Sequence, residues 1–163
     1  MQNVLTSEQE QYLKRKESTR KFDVVQLEEL KWGLEDGLTI EQVEVYANEK
    51  FDFSQMREIR LGLESDAVKN YIKLYANPDF SNAQMYQIRI GLEDKLPIEK
   101  IKEYANPKRS TKMMQEMRLK ITNDKESETN QEYPDIDDID KYSNNNETQN
   151  DKKDKQEFKH EDR

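Results

Sequence analysis

The chain of 163 residues has no cysteine, a single histidine, four glycines and four prolines. Without cysteine there is no disulfide framework and no thiolate metal site, and an intracellular compartment is the default expectation. The lone histidine, His160, rules out a histidine metal cluster and a His-dependent catalytic triad. Glycine is too scarce for a Gly-x-Gly-x-x-Gly fingerprint or a phosphate loop. No run of about 18 apolar residues occurs, and "MQNVLTSEQEQYLKRK" at the start has no apolar core, so neither a membrane span nor a signal peptide is expected. These absences point to a cytoplasmic protein that is not an enzyme and carries no cofactor and no metal.

Apolar residues are also few, 33% against 38% charged, so part of the chain is expected to stay unfolded. The net charge of -8 is unevenly placed. Residues 122–163 hold 14 acidic against 7 basic side chains, whereas residues 1–121 hold 21 against 20. The acidity belongs to a tail, and the remainder is close to neutral.

What is present is a 29-residue repeat. Stepping by that period links Phe22, Phe51 and Phe80; Gln26, Gln55 and Gln84; Leu27, Met56, Met85 and Met114; and Leu30, Ile59, Ile88 and Met117. It also links Gly33, Gly62 and Gly91; Leu34, Leu63, Leu92 and Ile121; Glu35, Glu64 and Glu93; and the Tyr-Ala-Asn triplets that begin at Tyr46, Tyr75 and Tyr104.

Each copy reads as two short helices, of about 12 and 8 residues. Asp23, Asp52 or Ser81 caps the first, and the Gln three residues on completes a capping box. The Phe before each cap can pack on Leu27, Met56 or Met85 as a hydrophobic staple. An apolar stripe continues through Leu30 and Leu34 and their equivalents. A second apolar column, Trp32, Leu61, Ile90 and Leu119, lies about 140° around the helix and is expected to meet the next copy. Glycine in mid-helix costs about 1 kcal/mol relative to alanine, so its column implies close helix crossing where a side chain would not fit. After a turn, the second helix carries Ile40, Val43 and Tyr46; Val68, Ile72 and Tyr75; or Ile98, Ile101 and Tyr104. The tyrosines read as core residues whose hydroxyls reach a helix end. Asn followed by Pro78 or Pro107 then stops the helix.

The fourth copy, 109–121, is partial: Arg109 replaces the staple and Lys120 the glycine. At the other end Ser7 and Glu10 form a capping box for a leading helix outside the repeat register. The expected fold class is therefore all-α, with 1–21 as an N-terminal capping helix. Three and a half α-hairpin repeats (22–50, 51–79, 80–108, 109–121) stack as a small solenoid, and 122–163 form a disordered acidic tail.

Two candidate sites emerge. The basic column Lys31, Arg60, Arg89 and Arg118 forms a ladder spaced at about 10 Å, suited to carboxylates or phosphates. Equally, it can pair with Glu35, Glu64 and Glu93 one turn on. In the tail, "EYPDIDDID" presents Tyr133, Asp135, Ile136, Asp137, Asp138, Ile139 and Asp140 as a linear motif or a nucleic-acid-like charge pattern; the alternative is a solvating acidic segment.

With the motif F-[DS]-x-x-Q-[ML]-x-x-[IL]-[RK]-x-G-L-E followed by Y-A-N-P, the sequence resembles tandem repeats of uncharacterised proteins from low-GC Gram-positive bacteria, their phages and conjugative elements. The resemblance covers 22–121, and "QMREIRLGLE" at 55–64 is its most specific stretch. It implies a mobile-element context, and no activity or functional residue comes with it. The expected function is protein–protein interaction as a helical-repeat accessory protein, partner unidentified. A second reading is an inhibitor of a host nucleic-acid-targeting defence enzyme, anti-restriction or anti-CRISPR-like. A third, direct nucleic-acid binding through the Arg ladder, is the weakest because the repeat region is nearly neutral.

Overall fold

The computed structural model describes residues 3–129, which fold into seven α-helices and one 3₁₀ helix with no strand among the described residues. In chain order these are α1 Ser7–Ser18, α2 Val24–Glu35, α3 Ile40–Glu44, α4 Phe53–Glu64, the 3₁₀ segment Lys69–Leu74, α5 Asn82–Glu93, α6 Ile98–Tyr104 and α7 Thr111–Thr129. None of the described helices is long and apolar enough to cross a membrane. The tail motif Tyr133, Asp135, Ile136, Asp137, Asp138, Ile139 and Asp140 lies outside the described residues.

The long helices α2, α4 and α5 begin where the capping signals place them. Asp23, Asp52 and Ser81 each accept from the backbone N–H of the glutamine three residues on, and that glutamine's Oε1 accepts from the cap's own N–H. Phe51 and Phe80 are buried behind these caps. α2 packs on α4 and α4 on α5, while α3, the 3₁₀ segment and α6 pack on α2, α4 and α5 respectively. The core between the two sets of helices holds Leu30, Ile59 and Ile88, Leu34, Leu63 and Leu92, and the fully buried Tyr46, Tyr75 and Tyr104.

The glycine column is explained by the tyrosines. A Cβ at Gly33, Gly62 or Gly91 would fall on the hydroxyl of Tyr46, Tyr75 or Tyr104 respectively. The hydroxyls donate to the carbonyls of Glu29, Glu58 and Gln87, at 3.1, 3.2 and 3.2 Å. Those carbonyls stand four residues before each glycine, in mid-helix and not at a helix end. Burial is the main reason all three phenols are held above their ordinary ionisation range.

Four expectations are corrected. The capping box of α1 is Thr6 with Gln9, not Ser7 with Glu10, because Thr6 is the last residue with extended backbone and Ser7 is already helical. The second helix of copy two is 3₁₀. In copies one and three the first helix ends with Gly37 or Lys95 at positive φ, closing Leu38 N–H to the Gly33 carbonyl and Leu96 N–H to the Gly91 carbonyl. Copy two instead leaves α4 through Ser65 in extended backbone, and Val68 offers no capping oxygen. The column Trp32, Leu61, Ile90 and Leu119 is not a buried seam with the next copy: Trp32 and Leu119 are exposed, the other two are half-buried, and Trp32 meets the following copy through the Arg60 guanidinium. Finally, α7 continues to Thr129, past the expected tail boundary at 122, since no proline or glycine interrupts 122–129. The contacts of the chain nonetheless separate at Asn123, and the residues from 124 on belong to a second unit.

Candidate interaction surfaces

Two polar columns tie each copy to the next. Gln26 Nε2 donates to the Phe51 carbonyl at 2.7 Å, Gln55 to Phe80 at 2.6 Å and Gln84 to Arg109 at 2.6 Å. Gln55 and Gln84 also reach the carbonyls of Pro78 and Pro107, both at 3.0 Å. The glutamine therefore caps its own helix with one end and holds the seam of the following copy with the other. This second use was invisible in the sequence, where the capping box alone accounted for the residue. Its loss in copy four, where Met113 stands in its place, was the available signal.

The basic column is largely consumed inside the fold. Arg60 Nε lies 2.8 Å from Glu29 of the preceding copy, and its NH1 lies 2.8 Å from Glu64 and 3.2 Å from Asp36. Arg89 repeats the arrangement with Glu58 at 2.9 Å and Glu93 at 2.6 Å. Arg118 bonds Gln87 at 3.0 Å and lies 3.8 Å from Asp94. Both Arg60 and Arg89 are under one-tenth exposed, and Glu29 is 1% exposed. Burial opposes each guanidinium charge, but Glu29 with Glu64, and Glu58 with Glu93, outweigh it and hold both arginines above their usual range. Pairing with the acidic column one turn on was anticipated. The stronger partner, two residues earlier in the preceding copy's register, was not. Among the described residues, Lys31 keeps only its own-helix partner, Glu35 at 3.7 Å, and stays partly exposed.

What remains open is the side of α2, α4, α5 and α7 turned away from the tyrosines. At about 100° per residue, Phe53, Tyr86, Trp32 and Leu119 share an arc of about 80° on that side. All four are more than a third exposed or at that mark, and Leu61 and Ile90 sit half-buried between them. The Arg60 guanidinium lies 6.0 Å from the Trp32 ring centre and that of Arg89 lies 5.5 Å from Tyr86, so the buried cations support the exposed rings from beneath. Positions holding the fold repeat from copy to copy, whereas the outermost positions of this side change: Val24, Phe53, Asn82 and Thr111 in one column, Glu28, Arg57, Tyr86 and Gln115 in another. Among the described residues no cluster of His, Cys, Asp and Glu could hold a metal ion. Comparison of the chain with protein-family models, with curated proteins and with solved structures found no match.

Proposed function

We propose that this is a small solenoid of tandem helical hairpins that binds another protein through the open side of α2, α4, α5 and α7, without catalysing a reaction. The observation that carries the reading is the contrast between columns. Residues that hold successive copies together are repeated and buried, while large apolar side chains such as Trp32, Phe53 and Tyr86 are placed outward among residues that vary from copy to copy. Repeat proteins present extended binding surfaces in this way, with a fixed frame and interchangeable outer positions. The same geometry counts against the Arg ladder as a phosphate strip, because the guanidinium groups of Arg60 and Arg89 are already matched by buried or half-buried carboxylates.

A photo-crosslinking side chain at Tyr86, on the open side, and another at Lys100, exposed on α6 opposite, separate the possibilities in the cell that makes the protein. The expected outcome is a discrete protein adduct from position 86 and none from position 100, abolished when Leu61→Arg and Ile90→Glu are added. An adduct only from position 100 would refute the assignment.

A further inference from the structure

At copy one, a groove opens between α1 and α2. Val24, Leu27, Glu28 and Lys31 follow one another at i, i+3, i+4 and i+7 and form one stripe of α2. Leu13 and Glu17 stand one turn apart on α1, which packs beside that helix. The two stripes line a cavity of about 230 Å³, many times the space one water needs. Helices α4 and α5 each have a first helix on their preceding side, and Met56 and Met85 are fully buried there. Beside α2 stands α1 instead, which does not follow the repeat register, and Leu27 is only half-buried.

The charges of the groove do not balance. The carboxylates of Glu17, on the α1 wall, and Glu28, on the α2 wall, make no ion pair or hydrogen bond among the described residues. Lys31, the cation in the lining, is engaged by Glu35 at 3.7 Å. Two nearby cations are drawn elsewhere, Lys16 to Glu44 at 2.7 Å and Lys21 to Glu49 at 3.5 Å. An apolar floor of Leu13, Val24 and Leu27 therefore lies between two uncompensated negative charges. An anion would be repelled there, and a wholly apolar side chain would desolvate the carboxylates without pairing them. A side chain with an aliphatic stem and a cationic end satisfies both parts of the groove.

From this we infer that the groove receives an arginine or lysine side chain of the protein bound by the open side, its stem on Leu13, Val24 and Leu27 and its charge between Glu17 and Glu28. The assignment rests on the open side being a binding surface, since Val24 and Glu28 belong to its variable columns, and it adds the chemistry of the partner at that end. The site is not repeated along the stack. Arg57, Tyr86 and Gln115 stand where Glu28 does, and Arg57 is exposed with no ion pair among the described residues. A basic side chain that suits copy one is repelled one period on, which fixes where along the open side the partner sets its cation.

The first test titrates the full chain with n-butylguanidinium, an arginine side chain without its backbone, and follows the methyl resonances of Leu13, Val24 and Leu27. Saturable shifts confined to these methyls are expected, with none from pentanoate, which has a similar stem and the opposite charge. Glu17→Gln with Glu28→Gln is expected to weaken binding of the cation about fivefold or more and to leave the urea midpoint unchanged. The second test places a photo-crosslinking side chain at Val24 in the cell that makes the protein. It is expected to capture the same protein as position 86, joined within about three residues of an arginine or lysine, the reach of one side chain along an extended segment. Glu17→Lys with Glu28→Lys is expected to lower that yield tenfold or more. Equal response to both probes, cation binding untouched by the Gln pair, or an adduct joined far from any basic residue would each overturn the inference. An adduct from position 86 and none from position 24 would overturn the groove and leave the open side standing, whereas no adduct from position 86 would overturn both.

Discussion

At the residue scale, the arginines of the mid-helix column act as fasteners, and their energetics follow from burial. Glu29 is almost wholly inaccessible and meets Arg60 in a charge-assisted contact, so removing one partner strands the other. Glu29→Ala is expected to cost about 3 kcal/mol, while Glu29→Leu combined with Arg60→Met is expected to fall within about 1 kcal/mol of the parent, since apolar packing replaces a desolvated pair without large loss. Urea unfolding of the two singles and the double measures this, and a double variant as unstable as the sum of the singles would contradict it. The sequence made part of this legible. A cation at 60 and an acid at 64 are one helical turn apart, which periodicity reveals, whereas Glu29 and Arg60 meet only because α2 and α4 pack side by side. The tyrosine under each glycine was hidden for the same reason. The glycine announced that something approaches closely, but a spacing of 13 residues between Gly62 and Tyr75 has meaning only once the second helix has folded back.

At the element scale, the three hairpins differ in how the first helix is ended. Where Gly37 or Lys95 adopts positive φ, the chain closes two backbone hydrogen bonds and delivers a capped or proline-led second helix. Copy two has Ser65 and Asp66 at that turn and yields the 3₁₀ segment. Installing the turn of copy one, Ser65→Asp with Asp66→Gly, is expected to convert Lys69–Leu74 toward α-helix and to raise stability by about 0.5–1 kcal/mol. Far-UV circular dichroism and urea midpoints report both. Unchanged helicity with a lowered midpoint would show that the residues after Val68, not the turn, set the 3₁₀ geometry. Starts of helices were readable because a capping box is a local motif, and all three boxes at Asp23, Asp52 and Ser81 formed as spelled. The end of α7 is not legible in the apolar period, which stops near 121, because a helix runs on where nothing breaks it, and 122–129 contain no proline or glycine.

For the whole molecule, the contacts between copies are interchangeable. Gln26 serves the seam at Phe51 as Gln55 serves that at Phe80, and Arg60 meets Glu29 as Arg89 meets Glu58. Removing residues 51–79 as one block would place Gln26 against the Phe80 carbonyl and Arg89 against Glu29, so each junction regains the partners it lost. The shortened protein is expected to fold cooperatively, with a denaturant slope lower by about a quarter, in proportion to the surface no longer buried, and a lower midpoint. Removing a block two residues shorter would bring both columns to the wrong side of the helix and is expected to leave the chain without a cooperative transition. The comparison separates nearest-neighbour stacking from a single shared core. A chain held together by one indivisible core would lose its transition in both cases, whereas stacked copies lose it only when the register is broken.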